Sequence, residues 1–239
     1  MRSLDKRKAL VLFSGGQDSS IALAFALDHF DLVETIGFDY GQRHDVELEA
    51  RVSLRAELKR FRPDWSQKLG PDALVDLSGF GQIGDTALTQ ESDIYTAENG
   101  LPTTFVPGRN LAFLTLAGAL AYRRNLGNIV AGMCEADYSG YPDCREEALS
   151  AQMAALRLGM DADIDLVTPL MKIDKAESWR MTQKIGGDAL VALINEHSHT
   201  CYRGDRQNRH DWGYGCDDCP ACDLRAKGWR GFVDSKGPC

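Results

Sequence analysis

Apolar positions along the chain form short runs that alternate with longer stretches of helical period. Ala9-Leu10-Val11-Leu12-Phe13 is followed by a small polar turn and then by Ser20-Ile21-Ala22-Leu23-Ala24-Phe25-Ala26-Leu27. This pattern predicts a strand over 8–13 and a helix over 19–29. Leu32–Phe38 reads as a second strand, and Val46, Ala50, Leu54 and Leu58 mark the buried stripe of a helix. Further strands are predicted at 73–77, 128–133 and 164–169. Leu111–Ala121 is apolar all round, which predicts a helix buried on several sides. Arg145–Leu158 is helical, and Asp174, with Glu177 three residues on, opens a capped helix to about Lys184. Residues 79–104 lack any period and are rich in Gly, Thr, Ser, Asp and Glu, so they form either a lid or a surface insertion. Strands alternating with helices imply an α/β fold, a Rossmann-like and mostly parallel sheet with helices on both faces. Ligands of such sheets lie beyond the carboxyl ends of the strands.

The turn after the first strand reads Phe13-Ser14-Gly15-Gly16-Gln17-Asp18-Ser19. Its N–H groups, with the positive end of the helix that follows, suit phosphate oxygens. It has neither the lysine of a Walker loop nor the three spaced glycines of a dinucleotide fingerprint. Ser-Gly-Gly-x-Asp-Ser resembles the pyrophosphate loop of ATP pyrophosphatases, the superfamily of GMP synthetases, NAD synthetases and several tRNA-modifying enzymes. Its members split ATP between the α and β phosphates. The plainer alternative is a strand-to-helix turn whose glycines only supply backbone freedom.

Composition narrows the class. A chain of 239 residues allows one large domain, or one domain plus a small module. The net charge of −8 argues against broad binding of nucleic acid. No apolar stretch reaches the length of a membrane span, and Met1–Lys8 shows no signal-peptide pattern, so a cytoplasmic protein is expected. Four of the seven cysteines crowd together: Cys201, then fourteen residues, Cys216, two residues, Cys219, two residues, Cys222. Four thiolates suit one tetrahedral, closed and therefore structural Zn²⁺. An iron–sulfur cluster or redox cysteines are the alternatives. His199 and His210 read as supporting or surface residues rather than ligands.

Other polar clusters fall at strand ends. Arg109, after Pro107-Gly108, and Lys175 each stand at a helix start, where a cation gains nothing from the helix dipole unless an anion is bound. The segment 132–145 crowds Glu135, Asp137, Ser139, Gly140, Asp143 and Arg145 into one loop. Its carboxylates could accept from the N–H groups of a purine-like ring or hold Mg²⁺, and Arg145 could fix a carboxylate. A solvated loop is the bland reading.

The loop, Pro-Gly-Arg-Asn, Ser139-Gly-Tyr-Pro-Asp-Cys-Arg145, Thr168-Pro-Leu-Met with Asp174-Lys-Ala-Glu177, and the cysteine cluster occur in one order. Together they resemble the 7-cyano-7-deazaguanine synthases of queuosine biosynthesis, from about residue 8 to about residue 228. The resemblance implies an adenine nucleotide alpha-hydrolase-like fold. A nucleotide-binding domain over 1–196 would carry a small C-terminal zinc-binding module over 197–239. It implies an ATP-dependent carbon–nitrogen ligase that turns 7-carboxy-7-deazaguanine and ammonia into the nitrile through an activated carboxylate and an amide. ATP would be held by Phe13, Ser14, Gly15, Gly16, Gln17, Asp18, Ser19, Ser20, Ile21, Ala22 and Leu23, with Mg²⁺ on Asp18. Asp18, Arg109 and Lys175 would be catalytic. Asp137, Ser139, Gly140, Asp143 and Arg145 would bind the substrate, and Cys201, Cys216, Cys219 and Cys222 the zinc. In the superfamily the segment after the second strand, here Asp39–His44, lies against adenine. One departure is the stretch Tyr202–Trp212, expanded relative to the family pattern; loop insertions cost little when both ends are anchored. The expected partners are small molecules, with neither nucleic acid nor membrane; the assembly state stays open, a homodimer included. The rival readings are a tRNA sulfur-transfer or other adenylating enzyme of the superfamily, with Cys134 and Cys144 as thiols, and a non-enzymatic nucleotide sensor or zinc-dependent interaction protein.

Overall fold

A computed structural model describes every residue except 43, 83–85, 91, 96, 99, 136–139 and 236–239. In chain order the elements are β1 (Arg2–Ser3), β2 (Asp5–Leu12), α1 (Gln17–His29), β3 (Leu32–Asp39), α2 (Val46–Phe61), α3 (Pro63–Lys68) and β4 (Leu69–Asp76). There follow α4 (Arg109–Arg124), β5 (Leu126–Val130), α5 (Glu146–Met160), β6 (Ala162–Asp163), β7 (Asp165–Val167), α6 (Lys175–His197), β8 (Arg209–His210), β9 (Gly213–Tyr214) and α7 (Pro220–Asp234). Five strands make one all-parallel sheet in the order β4-β3-β2-β5-β7. The α/β class and the five strands agree with the sequence pattern, although β4 starts earlier and β7 is shorter than expected.

Alternation along β2 feeds two cores. Ala9 and Val11 face one side, where they meet Ile21 and Leu27 of α1, Leu54 and Leu58 of α2, and Trp179 of α6. Leu10 faces the other, against Leu114 and Ala117 of α4 and Leu149 and Met153 of α5. Burial on both faces is why these strands read as continuous apolar runs.

Two helices differ from their sequence pattern. In α4 only Leu114, Ala117, Gly118 and Ala121 of the apolar stretch are buried, the spacing of a single face, while Thr115 and Ala119 are exposed. The small residues on the buried face let α5 approach: a methyl on Gly118 would lie 3.3 Å from Leu156 and Met160. In α6 the capping box is present, with Asp174 accepting from the Glu177 N–H and the Glu177 side chain accepting from the Asp174 N–H. The helix breaks at Gly186-Gly187, where Gly187 has φ of 66°, and resumes to His197. The expected end near Lys184 is therefore the break. The C-terminal α7 packs Trp229 edge-on against Trp179 at 5.2 Å, and Phe232 joins the same core.

Of residues 79–104, Ala87 and Leu88 are buried and the Ala87 N–H donates to the Thr103 carbonyl, which pins this stretch to itself. Ile94 packs on the cysteine cluster.

Candidate active site

A cavity of about 340 Å³ opens at the carboxyl ends of β2, β3 and β5. One wall is the glycine-rich turn. Gly15 adopts φ of +94°, and a methyl there would lie 2.7 Å from the Arg51 nitrogen and the Glu47 carbonyl, so the position needs glycine twice over. The loop donors converge: Ser14 and Gly15 N–H groups both donate to Ser19 Oγ at 3.2 Å, and the Gly16 N–H donates to Ser14 Oγ at 3.2 Å. Gly16 is the N-cap of α1 and offers no side chain to its first turn, which leaves the helix's positive end to an incoming anion. Phe13, Ser14, Gly16, Gln17, Asp18 and Ser19 line the cavity. Gly15, Ser20, Ile21, Ala22 and Leu23 lie outside its lining, and the last three are wholly buried in the core.

Lys175 and Asp18 come together from opposite ends of the chain. Lys175 Nζ donates to both Asp18 carboxylate oxygens, at 2.8 and 2.7 Å. Close packing sets both: a methyl on Gly132, just past β5, would lie 2.7 Å from the Asp18 carbonyl, and one on Gly228 of α7 would overlap Lys175 Cβ.

Arg109 enters from the first turn of α4. Its Nη1 donates to Tyr40 Oη at 3.3 Å, and the guanidinium lies over the rings of Tyr40 and Tyr141, at 5.1 and 5.7 Å. Its Nε is buried and has no hydrogen-bond partner among the described residues. A planar cation in an aromatic cradle suits a phosphate or a carboxylate. Burial pushes the Tyr40 hydroxyl up to about 12 in spite of Arg109. Glu47, in the first turn of α2, lines the same cavity; burial raises its carboxyl to about 7, and Arg109 opposes the rise.

The strand-end loop meets the cavity differently from its sequence pattern. Asp137 and Ser139 lie outside the described residues. Gly140 turns at φ of +76° against Pro102 and is not part of the lining. Asp143 is buried and points at α4: the Asn110 N–H and Nδ2 donate to its two oxygens at 3.1 and 3.0 Å. Arg145 is exposed at the start of α5. The residues of this segment that do line the cavity are Gly132, Met133 and Cys134 at the strand end, and Tyr141 and Cys144 further on. Tyr141 donates to Thr104 Oγ1 at 2.7 Å and stands 3.3 Å from the hydroxyl of Tyr202, another lining residue.

Sequence reasoning also passed over Arg51. It is 3% exposed, and its Nε donates to the Phe13 carbonyl at 2.8 Å while Nη1 donates to Asp72 at 2.8 Å. Gly37 in β3 leaves the slot through which it runs. A glycine inside an apolar strand was the available signal.

Cys201, Cys216, Cys219 and Cys222 bring their sulfurs within 4.8 Å of one another. Cys219 and Cys222 sulfurs are 3.5 Å apart, and Cys216 and Cys222 3.9 Å. A tetrahedral ion with bonds of about 2.3 Å to sulfur sets that edge near 3.8 Å, so the cluster fits a closed metal site. Crowding sets the thiols against each other: Cys201 pushes Cys219 up to about 11. A divalent cation removes the conflict by taking all four as thiolates. Gly215 makes room for it, since a methyl there would lie 2.6 Å from Cys222 Sγ. The chain between this cluster and the turn is short. The His199 N–H donates to the Gly15 carbonyl at 3.0 Å, Arg225 donates to Thr200 Oγ1 at 3.3 Å, and Cys201 follows. The His199 ring is fully buried with neither nitrogen partnered among the described residues, and burial lowers it to about 4.

The family model described as "Queuosine biosynthesis protein QueC" matches residues 8–233. A protein of Hyphomonas neptunium named 7-cyano-7-deazaguanine synthase is 60% identical over 228 residues, which cover 95% of each chain. Proteins of the same name from Gluconobacter oxydans and Parvibaculum lavamentivorans are 57% and 58% identical, covering 98% and 99% of this chain and 97% and 100% of theirs. With the α/β sheet, the turn and the cysteine cluster all inside the matched span, the chain belongs to the queuosine biosynthesis protein QueC family.

Proposed function

We propose that the protein converts 7-carboxy-7-deazaguanine and ammonia into 7-cyano-7-deazaguanine with ATP, as a carbon–nitrogen ligase of queuosine biosynthesis. The observation that carries this reading is the meeting of the Ser14–Ser19 turn, the Lys175–Asp18 pair and Arg109 around one cavity in a chain of this family. The chemistry follows from leaving groups. A carboxylate oxygen leaves poorly; joined to phosphate it leaves well, and the enzyme's work is then positioning and charge stabilisation.

In this reading the positive end of α1 and the hydroxyls of Ser14 and Ser19, on which the Ser14, Gly15 and Gly16 N–H groups converge, receive the pyrophosphate. Asp18 would share Mg²⁺, which neutralises phosphate charge when bound. Lys175 would then turn from Asp18 to the phosphates, and Arg109 would meet the charge from the opposite wall. Tyr40 and its loop face the adenine. Tyr141 faces the deazaguanine, and Asp137 and Ser139 would contact it in this reading; Gly140, outside the lining, would act from behind the wall. Asp143 and Arg145 act from outside the cavity, the first by holding α4. Cys201, Cys216, Cys219 and Cys222 would hold one structural Zn²⁺ in a module of residues 197–239 seated on a nucleotide domain of residues 1–196. The partners are small molecules, and the setting is the cytoplasm. A sulfur-transfer chemistry finds less support: burial pushes the Cys144 thiol up to about 12, the wrong direction for a nucleophile.

The test is direct. Incubation with 7-carboxy-7-deazaguanine, ammonium and Mg-ATP yields the nitrile, read by mass spectrometry. A folded, zinc-loaded protein that forms no nitrile rules the reading out.

A further inference from the structure

Making an amide from ammonium requires the nitrogen to lose two protons, the first before it can attack. Ammonium has no lone pair to offer, so the site needs a proton acceptor beside the activated carboxyl carbon. Among the described residues that line the cavity, the carboxylates are Asp18 and Glu47. Both oxygens of Asp18 already accept from Lys175. The nitrogens of His199 and Nε2 of His44 are sealed from solvent, and His44 is packed beneath Gly204, whose added methyl would lie 2.6 Å from its ring. The Glu47 side chain has no hydrogen bond or ion pair with any described residue. Its backbone packs against Gly15 of the glycine-rich turn, and Glu47 lines the same cavity as that turn.

We propose that the Glu47 carboxylate receives the ammonium ion and takes its first proton, making Glu47 a further catalytic residue; this rests on the nitrile-forming reading above. The N–H bond breaks with its electron pair left on nitrogen, and the proton goes to a Glu47 oxygen. The pair then forms the C–N bond as the C–O bond to the phosphate-bearing group breaks, and that group departs with the C–O electrons. The second proton leaves nitrogen with it, and Glu47 returns the first to water. Arg109 of α4 and Tyr40 are the charged and titratable groups whose charges act on Glu47, and Arg51 of its own helix, the Lys175–Asp18 pair and His44 line the same cavity. Arg109 keeps the carboxylate from being wholly uncompensated, and an unpaired carboxylate attracts a small cation.

The test compares two nucleophiles. Hydroxylamine is uncharged at neutral pH and needs no prior deprotonation, whereas ammonia is almost all ammonium. At about pH 7, Glu47→Gln is expected to lower ammonium-dependent amide formation by about 100-fold or more, the usual scale of general-base loss. Hydroxylamine capture and carboxylate-dependent ATP cleavage should stay within about threefold of wild type. The ammonium deficit should shrink as the pH is raised and free ammonia grows. Glu47→Asp, which keeps the acid but draws it back, should show an intermediate deficit, again for ammonium alone. Equal losses with both nucleophiles, or full ammonium activity in Glu47→Gln, overturns the assignment. Failure of the nitrile reading itself looks different: the wild type then cleaves no ATP in response to the carboxylate substrate.

Discussion

Asp143 provides a sharp separation between binding a substrate and holding a helix. Its carboxylate is 5% exposed, and both oxygens accept from Asn110, 33 positions away in sequence. The N-cap of α4 is Gly108, at φ of 76°, which has no side chain with which to cap the helix. Asp143 does that work from a distant loop. Asp143→Ala removes two hydrogen bonds to a charged acceptor, leaving the buried Asn110 N–H unpaired and its Nδ2 with Cys144 Sγ at 3.3 Å as its remaining partner. A bond to a charged group contributes about 1.5–3 kcal/mol, and loss of a cap costs about 0.5–2 kcal/mol. These overlap at Asn110, so a loss of roughly 2–4 kcal/mol is expected. For a domain of this size each kcal/mol moves Tm by about 2–4 °C, which sets the drop at roughly 5–15 °C. Asp143→Asn keeps one acceptor and should lose about half as much. Arg109 immediately precedes Asn110, so a loosened first turn also shifts the guanidinium, and the KM for ATP should rise. Thermal unfolding followed by circular dichroism, with kinetics varying each substrate in turn, checks both. An unchanged Tm with a KM raised for the deazaguanine substrate alone would refute the argument and return Asp143 to the substrate pocket.

Gly132→Ala places a methyl 2.7 Å from the Asp18 carbonyl and should raise the KM for ATP at least about tenfold with a stability loss of about 1–3 kcal/mol, read by kinetics and urea unfolding. Cys219→Ser should lower zinc content per chain and Tm together, measured by metal analysis and calorimetry; full stability without zinc contradicts a structural site. Burial raises the Glu47 carboxyl from 4.5 to about 7, so between these values the folded chain binds more protons than the unfolded one. Its contribution to stability is therefore present below about 4.5 and is lost as the pH rises through about 7, and the urea midpoint of Glu47→Gln should lack that share of the slope.

What could be read from the sequence was local or strictly periodic. The turn at 13–19, the capping box at Asp174 and Glu177, the two-residue spacings of the cysteines and the alternation of Ala9, Leu10 and Val11 all depend on neighbours within a few positions. What could not be read depends on packing between distant segments. Arg51 sits beside Ala50 on a helix whose stripe is defined by Val46, Ala50, Leu54 and Leu58, and looks like a surface arginine until Gly37 opens the sheet to it. Asp143 and Arg145 carry the chemistry expected of a purine pocket, but chain direction after Pro142 sends one to α4 and the other to solvent. Tyr141 and Tyr202 meet across 61 positions, a distance at which no spacing rule operates. The helix α7 was passed over although Pro220 at its first turn, just after Cys219, is a recognised start signal.

The same long-range packing makes the cysteine cluster part of the proposed nucleotide site rather than an appendage to it. Cys201 follows Thr200 and His199, and the His199 N–H is bonded to the Gly15 carbonyl of the phosphate turn. On its other side Cys201 leads to Tyr202, which faces Tyr141 across the cavity, and to Gly204, which packs on His44. The cluster's other end fixes the start of α7, whose Gly228 lies against Lys175 and whose Arg225 holds Thr200 and the Trp212 carbonyl. The backbone on each side of the cluster thus reaches a group to which the proposed function gives a role: the turn through His199, and Lys175 through α7. A closed four-sulfur site can take no part in the reaction through an open position, yet its geometry sets the distance between the turn and the lysine. A defect there should therefore disturb nucleotide binding at temperatures where the parallel sheet is still intact, because the sheet's two cores contain none of the four cysteines and α7 enters them through Phe232 and Trp229 at its far end.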